Sequence, residues 1–130
     1  MKSPLIRIRI PVPEYESCLL FYTGPMAKFK EVAARHNIHI PKKKTVAGLT
    51  WCNLKTYPYV SLSITYMETF DPASSNDIRT LAHECTHAAV RLLRYLEVKY
   101  SKDEETLCLL QSYYMYTIHK QVTAYYINNA

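Results

Sequence analysis

Leu81–Val90 reads "LAHECTHAAV", and the rest of the chain is best read outward from it. His83 and His87 are four residues apart, with Glu84 beside the first, in the pattern H-E-x-x-H. Residues four apart on a helix lie one above the other, so both imidazoles point the same way. Around them Ile78, Ala82, Cys85, Ala89, Leu92 and Leu96 recur at three- and four-residue steps, which predicts a helix with its core stripe on that face. The turn and cap cluster "DPASSN" at 71–76 places its start near Ser74 or Ser75. On this stripe the histidines lie roughly opposite the core.

The flanking chain supplies the remaining elements. "LIRIRI", Leu5–Ile10, alternates strictly and reads as a half-buried strand with Arg7 and Arg9 outward, ended by Pro11 and Pro13. "SCLLFY", Ser17–Tyr22, is a second strand. Pro25 suits the start of a helix over "MAKFKEVAARHN", with Met26, Phe29, Val32 and Ala33 as its apolar face and Asn37 as its stop. Val46–Leu54 is a third strand. Tyr59–Met67 is the clearest, with Val60, Leu62, Ile64 and Tyr66 on one face and Tyr59, Ser61, Ser63 and Thr65 on the other. A last helix runs from about Lys102 into the late 120s. The expected fold is α+β, a single domain over residues 1–130. A small twisted, mostly antiparallel sheet of about four strands packs against the HExxH helix and the long C-terminal helix.

Composition narrows the class. The 130 residues are 48% apolar and 21% charged, a globular balance with enough chain for one core. With only two glycines, turns must rely on Pro, Asn, Asp and Ser. Cys18, Cys52, Cys85 and Cys108 show no C-x-x-C spacing, which excludes a zinc ribbon. The start of the chain has no apolar signal region, and no apolar run reaches the length of a membrane span. The expectation is a soluble cytoplasmic protein with free thiols and no membrane partner. The net charge of +5 and the run Lys42-Lys43-Lys44 permit contact with nucleic acid, but no recognition helix or aromatic platform accompanies them. A solvated loop accounts for the run.

Two imidazoles one turn apart can hold Zn²⁺, which takes a third protein ligand when a catalytic position is left open. His36 and His39 are remote in sequence and are not removed by spacing. His119 would lie roughly 21 Å from Glu105 along an unbroken last helix, so it serves only if the nearer acids do not. Those acids are Asp103, Glu104 and Glu105. Ser101–Glu104 reads as a capping box, with Asp103 favoured in the first turn. Glu105 is the acid that capping leaves over, followed at i+3 by the small Cys108. It is the candidate third ligand, with Glu104 as runner-up. A helix straight to Leu96 followed by a tight return would put Glu105 level with Leu92. The ligand assignment therefore expects the helix to end by about Arg94, with a connection through Tyr100 that brings Glu105 across the site.

With these residues the chain resembles the zincin metallopeptidases, closest to the gluzincin type, whose HExxH is joined by a Glu on the following helix. His83, Glu84 and His87 match the motif and Glu105 the downstream acid. Val90 and Leu93 stand where the metzincin pattern has Gly and His. "DEETLCLLQSYY" also resembles small phage and prophage proteins with an HExxH helix followed by a Glu-rich helix start. The likeness covers roughly residues 74–118. It implies a zinc-dependent hydrolase of peptide or peptide-like amide bonds, with Zn²⁺ on His83, His87 and Glu105. Glu84 would activate the zinc-bound water, then pass the proton to the leaving amine. A peptide or protein substrate would add as a strand to the sheet edge, for which Tyr59–Met67 is the natural strand, with the loop 68–76 flanking the site. Tyr113, Tyr114 and Tyr116 lie in the right part of the chain to help the oxyanion, although packing accounts for each. The alternative is a zincin-fold binding or inhibitor protein, phage-encoded, that acts by protein–protein contact without catalysis.

Overall fold

The computed structural model of the chain describes residues 3–42, 47–99 and 104–129. Four strands form one mixed sheet: β1 (Ile6–Val12), β2 (Ser17–Thr23), β3 (Leu49–Leu54) and β4 (Ser61–Met67), in the order β1-β2-β4-β3. The helices are α1 (Met26–Arg35), α2 (Ser75–Tyr95) and α3 (Glu105–Asn128). The architecture is α+β, with a four-stranded sheet and a long C-terminal helix.

β1 and β2 pair antiparallel around a short 3₁₀ turn at Pro13–Tyr15. Arg7 and Arg9 face outward between buried Ile6, Ile8 and Ile10. The strand does not stop at Pro11 but continues to Val12. β1 is an edge, so a proline there removes no ladder hydrogen bond that the sheet needs.

After β2 the chain crosses one face as α1, lays down β3 at the far edge, and returns as β4 between β3 and β2. β4 pairs parallel with β2 and antiparallel with β3. Tyr59–Met67 is therefore not an edge strand. Its core, Ser61–Met67, is interior and every residue in it is buried. Among the described residues the sheet edge beside α2 is β3.

β4 sorts its two faces as its alternation predicts. Leu62, Ile64 and Tyr66 pack with Phe29, Val32 and Ala33 of α1. Phe29 stacks on Tyr66, with ring centroids 4.0 Å apart, and on Trp51 of β3 at 5.6 Å. Buried aromatic side chains of this kind contribute roughly 1.5–3 kcal/mol each by leaving water. Asn37, in the left-handed region at φ 54°, follows the cap at His36 and ends α1.

Ser61, Ser63 and Thr65 face the other way, toward α2. Between Trp51 and Leu54 the β3 register shifts by one residue. Asn53, at φ 59°, takes the strain of this bulge. It accepts from Ser61 Oγ at 2.9 Å and donates to the Arg91 carbonyl at 3.5 Å, tying the bulge to α2.

α2 starts as its sequence predicts, with the Ser74 side chain accepting from the Asp77 N–H at 3.3 Å. It ends at Tyr95. Its buried residues are Leu81, Glu84, Cys85, Ala88, Ala89, Leu92 and Leu93. The buried face is thus turned from the predicted stripe: Ile78, Ala82 and Leu96 are only half-buried, and Glu84 lies within it. α3 covers the remaining part of this face with Leu110, Tyr114, Ile118 and Val122. Among the described residues no helix is long and apolar enough to cross a membrane.

Candidate functional site

α2 packs across β3 and β4 so that three kinds of position follow from one helix. Cys85, Ala88 and Ala89 point into the sheet and are fully buried. Glu84, one step round, points at β3. His83 and His87 turn away from the sheet: the His83 side chain is 67% exposed and His87 is half-buried.

The two imidazoles meet. Their Nε2 atoms are 3.1 Å apart, with ring planes at 87°. Two tetrahedral zinc–imidazole bonds of 2.0–2.1 Å set their nitrogens about 3.4 Å apart, so the pair stands close to a chelating bite. One ring nitrogen donates a proton to the other, the tautomer deciding which. A cation in that proton's place would take both lone pairs. The donor set and its spacing fit Zn²⁺ as far as two ligands.

Glu84 is buried, with 6% of its surface exposed, and is held from the sheet side. Leu49, Thr50 and Trp51 pair with Tyr66, Thr65 and Ile64, so Thr50 and Thr65 face each other on the α2 side. Thr50 Oγ1 donates to Glu84 Oε1 at 2.7 Å and lies 3.0 Å from Thr65 Oγ1. A carboxylate out of water is costly unless it is hydrogen-bonded, and this hydroxyl pair meets that need for one oxygen. The other, Oε2, lies 3.9 Å from His83 Nε2, which leaves it beside the nitrogens that would hold the metal. Gly48 makes room for the carboxylate: a Cβ there would stand 2.9 Å from Glu84 Cγ and 3.1 Å from Thr80 Cγ2.

Two thiols share this region. Burial pushes the Cys85 thiol up to about 12, and the Glu84 charge adds to it. Burial also raises Cys52, against the hydrogen bonds from Arg91 and Ser63. Both are structural thiols rather than nucleophiles.

The structure does not bring Glu105 to the histidines. Among the described residues no three His, Cys, Asp or Glu side chains gather as a metal site. The reason is the direction of α3. His119 reaches the Pro72 carbonyl at 3.1 Å, ahead of the α2 N-terminus, and Tyr114 packs in the same core as Cys85. α3 therefore runs antiparallel to α2. Glu105 opens α3, at the end of that helix away from His119 and the α2 N-terminus.

Glu105 is the first, exposed residue of α3. Glu104 sits at the cap without a side-chain cap bond, and Ser101 and Asp103 of the expected capping box, with Tyr100 of the connection, lie outside the described residues. His36 caps α1, which packs on the opposite face of the sheet, and the His39 carbonyl accepts from Trp51 Nε1 at 3.3 Å. Of the tyrosines, Tyr114 is core, Tyr113 donates to the Pro11 carbonyl at 2.7 Å, and Tyr116 lies exposed beside Lys120.

Thr50, Thr65 and Gly48 are the site residues that the spacing of the motif could not supply. Their one sequence signal is the polar face of β4, too small and too polar for a strand buried on both sides. Comparison with family models, with curated proteins and with solved structures finds no match to this chain.

Proposed function

We propose that the chain is a metal-dependent hydrolase of peptide or peptide-like amide bonds, with Zn²⁺ held by His83 and His87 and Glu84 as the general base. The observation that carries this reading is the placement of Glu84. A histidine pair serving packing alone has no use for a buried carboxylate, anchored through one oxygen and presenting the other to the ligand nitrogens. Zinc, when bound, supplies Lewis-acid polarisation and lowers the pKa of a coordinated water toward ~7. Glu84 Oε2 accepts the proton from the attacking water and returns it to the leaving nitrogen. Thr50 keeps Oε1 occupied, so the proton goes to the oxygen that faces the substrate. The β3 edge beside Glu84, which pairs with no further strand among the described residues, offers backbone groups to an extended substrate.

Glu105, at the start of α3, is left out of the binding set. His83 and His87 would supply two of the protein ligands that a catalytic zinc takes. The test is zinc content after loading and dialysis, read beside hydrolysis of a mixed peptide library. Wild type, Glu84→Gln and Glu105→Ala are expected to hold about one zinc per chain, and His83→Ala and His87→Ala to hold none. Hydrolysis is expected in the wild type and absent in Glu84→Gln. A wild type that binds no zinc would overturn the reading.

One observation favours a second reading, a protein-binding module without catalysis. Leu109, Tyr113 and Tyr116 are 61%, 40% and 65% exposed along the outer face of α3, and aromatic residues of this kind serve as interface anchors. The readings part at Glu84. Its replacement by Gln ends hydrolysis under the first and leaves partner binding intact under the second.

A further inference from the structure

A cleft of about 830 Å³ opens at the carboxyl ends of the parallel strands β2 and β4. It shares no residue with His83, Glu84 and His87. The start of β1, the β2–α1 turn, the loop leading into α2 and the last turn of α3 wall it in. Its volume is in the range of small-molecule sites.

Three features define what it would take. The lining is largely apolar, with Ile6, Phe70, Pro72 and Ile127 among its residues. Tyr126 and Ile127 stay 45% and 71% exposed at this end of α3, apolar surface that a ligand would cover. Thr123, on the α3 wall, has a buried Oγ1 without a hydrogen-bond partner, a group that normally finds one. The only ionisable carboxyl or basic side chains in the described lining are the acids Glu68 and Asp71, in a chain of net charge +5.

Asp71 is partly engaged, accepting from the Ala73 N–H at 2.8 Å. Glu68 has no hydrogen bond or ion pair to another described residue. Lys28 and His119 touch the cleft's backbone from outside, at the carbonyls of Ser3 and Pro72. Neither lines it.

We propose that this cleft binds a small amphiphilic amine: an aliphatic or aromatic body against Ile6, Phe70 and Ile127, with its ammonium group at Glu68 and Asp71. The apolar walls supply most of the affinity and the two acids select the sign of the head group.

The test uses the full chain and three probes of equal tail length, decylammonium, decanol and decanoate, each below its micelle concentration. Calorimetry reads affinity, and backbone amide shifts read location. Decylammonium is expected to bind with shifts at Thr23, Gly24, Phe70 and Thr123, and decanoate to bind at least tenfold more weakly. Glu68→Gln, a change at an exposed side chain, is expected to weaken decylammonium about fivefold, the scale of one exposed charge contact. Ala73→Trp, which fills the mouth from another exposed position, is expected to remove binding with the circular dichroism unchanged. Equal affinity for the three probes, shifts centred elsewhere, or no binding of decylammonium would each overturn the proposal.

Discussion

Thr50 on the edge strand and Glu84 on the motif helix are joined by a 2.7 Å hydrogen bond from hydroxyl to carboxylate. This bond fixes which oxygen of Glu84 is left for chemistry. It also couples the site to the stability of the fold, because Glu84 is only 6% exposed. Thr50→Val keeps the shape and removes the donor. It is expected to destabilise the protein by about 1–3 kcal/mol at neutral pH, the cost of stranding a buried charged acceptor. Thr50→Ser is expected to recover most of that loss. Urea denaturation of the three proteins measures both effects. Equal stability of Thr50→Val and wild type would mean that the hydroxyl does not hold the carboxylate.

Gly48 is expected to be intolerant of even one carbon. An added Cβ would stand 2.9 Å from Glu84 Cγ and 3.1 Å from Thr80 Cγ2, and neither neighbour can yield freely, since Thr50 anchors Glu84 and Thr80 Oγ1 donates to the Asn76 carbonyl at 3.2 Å. Gly48→Ala is therefore expected to cost about 1–3 kcal/mol, the range of overpacking, and to slow any hydrolysis by moving the base. Adding Thr80→Ser removes the Cγ2 clash and should restore part of the stability but little of the activity. A double-mutant cycle by denaturation and rate reads the split.

These two residues mark the limit of what the sequence discloses. The alternation of β1, β2 and β4, the Pro25 start of α1 and the Ser74 cap of α2 are local patterns, set by residues that touch one another along the chain. The meeting of His83 and His87 is local too. Strand order is not local. Alternation reports which residues share a face, not which strand lies alongside, and so it could not place β3 outside β4. The same gap hid the burial of Glu84, whose partner sits 34 residues away on that strand. The third ligand drawn from the capping pattern meets a related limit. Capping chooses among neighbouring acids, whereas the antiparallel docking of α3 decides which end of α2 they reach.

Alkaline pH is expected to weaken the fold through its buried thiol. Burial first, and then the Glu84 charge, push Cys85 from 9.0 up to about 12. A raised pKa means that the folded state keeps a proton that the unfolded chain gives up. The stability from this preference is complete below pH 9 and is lost as pH rises from there toward 12. At pH 10 part of that stability is already gone. Tyr114 and Tyr66, raised chiefly by burial, act in the same direction at still higher pH. Cys85→Ala should be less stable than wild type near neutral pH, because it leaves a small cavity, yet lose less on going from pH 8 to pH 10. Denaturation at the two pH values measures the difference. Thiol titration of the native protein should find the exposed Cys108 reactive, with Cys18 and Cys85 protected.

Zinc is expected to stabilise the folded chain through His83 and His87 alone. The two Nε2 atoms are already 3.1 Å apart, so little ordering is needed before a cation binds, and the unfolded chain offers no such pair. Linkage then gives a rise of about 2.7 kcal/mol when free zinc stands at a hundred times its dissociation constant. His83→Ala and His87→Ala should each abolish that rise, and Glu84→Gln should preserve it. Glu105→Ala is the decisive variant. Glu105 forms no metal-type cluster with the histidines, so its removal should leave the zinc-dependent shift in melting temperature within measurement error of the wild type. A shift that collapses in Glu105→Ala but survives in Glu104→Ala would place Glu105 on the metal. In that case the start of α3 must move to the histidines when zinc binds.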